Sequence, residues 1–130
     1  MGADPIAIST ATASARTSRE ICWFSVRKDR KGHGRGRLIE GDVKAGFEVA
    51  VVDDVVTTGG STIEAIEKCR EAGLQIVQVL VLVDREQDAG MEKIRMALGG
   101  DVPVVALFTK SEVRHAWEAR QTLSLSPQIP

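Results

Sequence analysis

Three near-continuous apolar runs, each ended by polar residues, set the plan of the chain. Phe47-Glu48-Val49-Ala50-Val51-Val52 is apolar at all positions but Glu48 and stops at Asp53-Asp54. That is the pattern of a parallel strand covered on both faces, because a half-exposed antiparallel strand would alternate. From Ser61 the period becomes helical. Ile63, Ile66, Cys69 and Ala72 fall inward, Glu64, Glu67, Lys68, Arg70 and Glu71 fall outward, and Gly73 follows as a C-cap. A second buried strand, Ile76 to Val83, closes at Asp84-Arg85. A helix from about Ala89 to Leu98, a strand from Val102 to Phe108 and a helix from about Ser111 to Ala119 complete the pattern. Upstream, residues 4 to about 15 read as a helix of small residues packed closely on a neighbour. Ile21-Cys22-Trp23-Phe24-Ser25-Val26 is aromatic and β-branched and reads as a strand. Leu38-Ile39-Glu40-Gly41 reads as a short returning strand, and Val43 to Gly46 as a turn.

Strands alternating with helices through short connections predict an α/β domain with a mainly parallel sheet flanked by helices, over residues 1–120, with a polar tail at 121–130. Ligands of such sheets bind beyond the carboxyl ends of the strands. That edge should collect Asp53-Asp54, Arg85 and the segment after Val26.

Composition adds mainly exclusions. With 43% hydrophobic and 27% charged residues in 130, one core is expected. No apolar run approaches the roughly 20 residues of a membrane span. The N-terminus lacks a basic segment followed by an apolar one, so no secretory signal is read and a cytoplasmic location without membrane attachment is expected. Cys22 and Cys69 match no metal-ligand spacing and are expected as buried free thiols; no residue is expected as a metal ligand. A net charge of -1 argues against a nucleic-acid partner.

The positive charge is nevertheless bunched. Arg27, Lys28, Arg30, Lys31, Arg35 and Arg37 face one acid, Asp29, and His33 sits among Gly32, Gly34 and Gly36. On charge alone such a loop is as readily a solvated surface or a nucleic-acid patch as a ligand site.

The most informative stretch is Val51-Val52-Asp53-Asp54-Val55-Val56-Thr57-Thr58-Gly59-Gly60-Ser61-Thr62. A hydrophobic strand delivers two adjacent carboxylates to a poorly solvated edge, which calls for a compensating cationic or hydroxyl-rich ligand. The hydroxyls and glycines that follow let backbone N–H groups turn inward before a helix N-terminus, forming a cup for a phosphate. Carboxylates for ribose hydroxyls beside a phosphate cup point to a ribose 5-phosphate group. A plain strand end and a plain helix cap remain the bland alternative; the full twelve-residue context makes it much the weaker one.

This stretch resembles the 5-phosphoribosyl 1-diphosphate (PRPP) motif of the type I phosphoribosyltransferases. Phe24 to Gly34, with Arg-Lys-x-x-Lys-x-His-Gly across Arg27 to Gly34, resembles the catalytic loop of the orotate enzymes in particular. Gly2-Ala3-Asp4-Pro5-Ile6-Ala7 resembles the end of their pyrophosphate loop, and Leu82-Val83-Asp84-Arg85 their orotate-contacting strand end. The resemblance implies a type I phosphoribosyltransferase-like fold and transfer of ribose 5-phosphate from PRPP to orotate, giving orotidine 5-monophosphate and pyrophosphate in pyrimidine biosynthesis. Lys31, Asp53 and Asp54 would be catalytic. Arg27, Lys28, Lys31, His33, Asp53, Asp54, Val55, Val56, Thr57, Thr58, Gly59, Gly60 and Ser61 would bind PRPP, and Thr57 and Arg85 would face the orotate, where a planar guanidinium suits a carboxylate or carbonyl edge. Magnesium carried by the pyrophosphate is implied, as is a homodimer in which residues 27–37 reach the neighbouring subunit. Orotate enzymes also have an N-terminal lid, a substrate lysine and a first core strand. The chain begins inside the pyrophosphate loop, so a partial domain lacking that lid and strand is expected, the strand belonging between residues 21–26 and 47–53. A non-catalytic PRPP or nucleotide sensor and a purine phosphoribosyltransferase are the alternatives. A sensor has no leaving group to protect, and so no need for Arg27, Lys28, Lys31 and His33 together.

Overall fold

The computed structural model describes residues 2–28 and 38–125. In chain order its elements are α1 (Asp4–Ser14), β1 (Ser25–Val26), β2 (Ile39–Glu40), β3 (Glu48–Val56), α2 (Gly60–Glu71), β4 (Gln75–Asp84), α3 (Gly90–Leu98), β5 (Val104–Thr109) and α4 (Lys110–Leu125). The three long strands form one parallel sheet in the order β3-β4-β5, with α2 and α3 as its crossovers. The predicted α/β class with a mainly parallel sheet is therefore what forms.

One face of this sheet makes the core. Val51, Val79 and Val104 lie opposite one another across the three strands and are buried. Ile66 and Cys69 of α2 and Ile94 of α3, each 0% exposed, cover them. Each fully buried aliphatic side chain of this kind contributes about 1.5–3 kcal/mol. The helical face read from the sequence holds at Ile66 and Cys69, while Ile63 is half-buried and Ala72 exposed. The stripe turns inward one residue earlier than predicted, at Thr62, which is 1% exposed. The stop at Gly73 forms as its residue type requires. Gly73 adopts a φ of 76°, its N–H donates to the Arg70 carbonyl at 2.9 Å, and the Leu74 N–H donates to that of Cys69 at 3.0 Å. These bonds satisfy carbonyls the ended helix leaves open.

Several boundaries differ from the sequence reading; α4, expected to end at about Ala119, runs on to Leu125. β3 does not stop at Asp53-Asp54: its ladder with β4 runs on to Val56↔Asp84, because the partner strand is long enough to keep pairing it. The expected strand over residues 21–26 shrinks to Ser25–Val26, antiparallel to Ile39–Glu40. At its start the Ser14 hydroxyl, buried at the end of α1, accepts the Ile21 N–H at 2.8 Å and takes that one donor from any ladder. Ile21 and Trp23 are exposed.

α4 begins with a reciprocal cap. The Thr109 N–H and hydroxyl donate to Glu112 Oε2 at 2.7 and 3.0 Å, and the Glu112 N–H donates to Thr109 Oγ1 at 3.2 Å. These bonds hold the Glu112 carboxyl below its ordinary range. A depressed folded value stabilises above the unfolded carboxyl range and loses that contribution as pH falls through the folded value. No helix among the described residues is long and apolar enough to cross a membrane.

The two cysteines are free, but only Cys69 is buried; Cys22 is exposed, contrary to expectation, because the segment before β1 lies outside the core. Burial pushes the Cys69 thiol up to about 11. In a thiol titration at pH 8, Cys22 should therefore react promptly and Cys69 only after denaturant is added; simultaneous reaction of both in the native protein would contradict this core.

Candidate functional site

The carboxyl end of β3 and the start of α2 form a single hydrogen-bonded unit. Asp53 pairs with Val81 of β4 and so shares the core face of the sheet with Val51. There its Oδ2 accepts the Thr62 hydroxyl at 2.5 Å and the Ser61 hydroxyl at 3.2 Å, while Oδ1 accepts the Asp54 N–H at 2.9 Å. The two-residue period of the strand sends Asp54 to the opposite face. A Cβ on Gly2 would collide with its carboxylate there, so the N-terminal residues approach Asp54 closely. The two acids are thus adjacent in sequence but divided between faces.

Between them and α2, the loop turns through Gly59 at a φ of 81°, a left-handed conformation suited to glycine. The N-cap of α2, Gly59, offers no side chain to cap it, and the Gly60 N–H has only a long bond to Thr58 Oγ1 at 3.4 Å. The start of the helix thus presents N–H groups at the positive end of its dipole, and an anion is the natural partner for that arrangement. Lys68 and Arg70 in the last turn complement the other end.

The cup rests on α3 through glycines. A Cβ on Gly90 would strike the Thr57 carbonyl and lie 2.7 Å from Val56 Cγ1; one on Gly59 would lie 2.8 Å from the Gly90 carbonyl. Two backbones therefore meet with no room for a side chain. Neither Gly90 nor Thr62 was singled out from sequence. Thr62 had a signal, a hydroxyl on the same helical stripe as Ile66 and Cys69. Gly90 had none, since the residue it accommodates lies far away in the chain.

Arg85 is joined to the cup by its backbone: its N–H donates to the Val56 carbonyl at 2.9 Å. Its side chain points elsewhere, lining an open cavity of about 300 Å³ with Glu86, Gln87, Lys110, Ser111 and Arg114. None of residues 53–61 lines that cavity. Glu86, Asp88 and Ala89 all have φ near 50°, a strained conformation for non-glycine residues. Glu86 is held there by its N–H donating to Asp84 Oδ1 at 2.8 Å and by its Oε2, which accepts the Ser111 N–H at 3.0 Å and the Ser111 hydroxyl.

Of the basic segment, Arg27 and Lys28 are described, whereas Lys31 and His33 lie outside the described residues. The Arg27 guanidinium is paired with Glu40 across the β1–β2 ladder. The Arg27 and Lys28 carbonyls are both held by Lys68, eight residues into α2 and so about 12 Å along the helix from the cup. Asp53, Ser61 and Thr62 are brought together; Asp54 lies on the opposite face of the strand, Arg27 by Lys68 in the last turn of α2, and Arg85 at the separate cavity.

No family model matches the chain. Over 113 residues it is 46% identical to an orotate phosphoribosyltransferase of Aquifex aeolicus, covering 87% of this chain and 60% of that protein. The crystal structure of a phosphoribosyltransferase from Corynebacterium diphtheriae aligns with a TM-score of 0.70 at 36% identity, covering 88% of this chain and 62% of that one. The orotate phosphoribosyltransferase of Mycobacterium tuberculosis in complex with PRPP aligns with a TM-score of 0.71 at 30% identity, covering 87% and 60%. The chain thus spans about 60% of the length of the curated relatives it matches. Within that span it has the type I phosphoribosyltransferase-like α/β fold.

The contact between Gly59 and Gly90 makes a specific prediction. Gly90→Ala should destabilise the chain by about 1–3 kcal/mol, the usual cost of forcing extra volume into a packed site, and should weaken binding of inorganic phosphate as a probe anion. Thermal unfolding with calorimetry checks both; an unchanged midpoint and affinity would show that the cup does not rest on α3.

Proposed function

We propose that this chain, similar to orotate phosphoribosyltransferases over about 60% of their length, carries the PRPP site of such an enzyme. The whole protein would transfer ribose 5-phosphate from PRPP to orotate. The C1–oxygen bond to pyrophosphate breaks, the bond from C1 to the pyrimidine nitrogen forms, and orotidine 5-monophosphate and pyrophosphate leave. The observation that supports this best is the cup itself, an uncapped helix N-terminus fixed to a strand end by the bonds from Ser61 and Thr62 to Asp53.

The geometry suggests a division of labour. Asp53 has its Oδ2 committed to two hydroxyls and would hold the cup in shape around the 5-phosphate. Asp54, on the other face, would take the ribose hydroxyls and favour the positive charge that develops on the ribose as pyrophosphate departs. Thr57 to Ser61, with the Val55-Val56 backbone behind them, would form the phosphate-binding surface. Arg85, and Thr57 beside the cup, would meet the orotate; Arg27, Lys28, Lys31 and His33 would neutralise the pyrophosphate.

A magnesium ion would be carried mainly by pyrophosphate oxygens, which suit it, and would neutralise the leaving group. A homodimer in which residues 27–37 serve the neighbouring subunit, in the cytoplasm, completes the proposal.

The test is consumption of the base, followed by absorbance, in the protein that carries this segment. Orotate should be consumed only with PRPP and magnesium, and adenine or hypoxanthine should not replace it. Asp54→Asn should lower turnover by about a hundredfold or more, as loss of one transition-state electrostatic contact does, with little loss of folding stability. Consumption of a purine would make it a different phosphoribosyltransferase, and PRPP binding without consumption of any base would make it a sensor.

A further inference from the structure

We propose that Lys68 is a positioning residue that sets the backbone of Arg27 and Lys28, and with it the start of the basic segment, relative to the phosphate cup. Its functional half rests on the reading of the site given above.

Lys68 is placed where a lysine is rarely found unless its charge is used. Its side chain is 12% exposed, and its ammonium donates to the Arg27 carbonyl at 2.7 Å, to the Lys28 carbonyl at 2.6 Å and to the Glu64 carboxylate. An ammonium has three N–H donors and no acceptor, so these three oxygens satisfy it completely. Taking such a group out of water is unfavourable unless every donor is matched, which makes the arrangement specific to this backbone position. Glu64 lies one turn earlier on the same helix and aims the ammonium. The other two partners are some forty residues away in the chain, consecutive carbonyls that converge on one cation.

Those two carbonyls stand at the base of the basic segment. The Arg27 N–H donates to the Leu38 carbonyl at 2.8 Å, closing the ends of the segment on each other, and the Arg27 guanidinium is paired with Glu40. These contacts fix β1 to β2, which share no ladder with the main sheet and meet its core through the apolar side chains of Val26 and Ile39. Lys68 adds a directional polar link, and it does so from the helix whose N-terminus is the cup. One rigid element therefore holds the phosphate-binding groups at its first turn and the carbonyls of Arg27 and Lys28 two turns later.

The experiment compares Lys68→Met, of similar length but without donors, and Lys68→Arg with the unaltered chain. For Lys68→Met we expect the carbonyl carbon resonances of Arg27 and Lys28 to move while those of residues 57–61 stay in place. We also expect affinity for magnesium pyrophosphate to fall about tenfold, or about 1.4 kcal/mol, with affinity for ribose 5-phosphate changed less than about twofold, about 0.4 kcal/mol. Lys68→Arg keeps the charge and donors and should recover part of the loss. A Lys68→Met chain that is folded by circular dichroism with unmoved Arg27 and Lys28 resonances and unchanged pyrophosphate affinity overturns the proposal. Equal losses for pyrophosphate and ribose 5-phosphate also overturn it, since they would mark a general structural role. If Lys68→Met fails to fold, Lys68→Arg decides: it supports the proposal if it keeps ribose 5-phosphate affinity while pyrophosphate affinity falls, and overturns it if both fall together. If the unaltered chain binds no pyrophosphate, the site reading fails, and the carbonyl resonances alone then decide whether Lys68 holds the segment.

Discussion

Asp53 sits near the carboxyl end of a buried strand, still paired with β4, and its carboxylate accepts two hydroxyls from the first turn of the following helix. A carboxylate in that half-buried place must be satisfied, and Ser61 and Thr62 satisfy it only if α2 starts where it does. The helix has no conventional side-chain cap, because its N-cap position is Gly59. The open N–H groups that result are what an anion can use. The end of β3, the loop through Gly59 and the start of α2 thus depend on one acceptor, which also sets the direction in which the helix dipole points.

From that acceptor the rest of the site is placed by rigid elements. α2 carries the position of the cup to Lys68 and so to the base of the basic segment. The Gly59–Gly90 approach carries it to α3, and the bond between the Val56 carbonyl and the Arg85 N–H carries it to the end of β4. Each link uses backbone or a fully matched charge, and neither bends readily. Catalysis by positioning tolerates little displacement: about 1 Å can cost about a hundredfold in rate, and the proposed phosphoribosyl transfer would make that demand. A fold that fixes its ligand-facing loops by backbone contact suits that demand.

Much of this was legible in the residue order. The unbroken apolar runs gave the parallel strands, and Gly73 gave the helix stop, because those signals are local. The twelve residues from Val51 to Thr62 located the turn from strand to helix for the same reason. What escaped was set by partners distant in sequence. Ile21 to Phe24 look like strand, yet at their start the Ser14 hydroxyl takes the Ile21 N–H from any ladder. Cys22 looked like core and lies outside it. The two acids look like a matched pair, yet a ladder that continues past them sends their side chains to opposite faces. Gly90 and Lys68 matter through residues they meet only in the folded chain, and nothing in their neighbours announces it.

The central claim, that Asp53 shapes an anion-binding cup at the start of α2, is tested most directly by titrating the ¹⁵N-labelled chain with ribose 5-phosphate and following its backbone amide resonances. The largest shifts should fall on residues 58–62. They should disappear in Asp53→Asn, although the sheet resonances of β4 and β5 stay where they were. Shifts centred instead on Arg85 and Arg114, or an undiminished response at residues 58–62 in Asp53→Asn, would contradict the account.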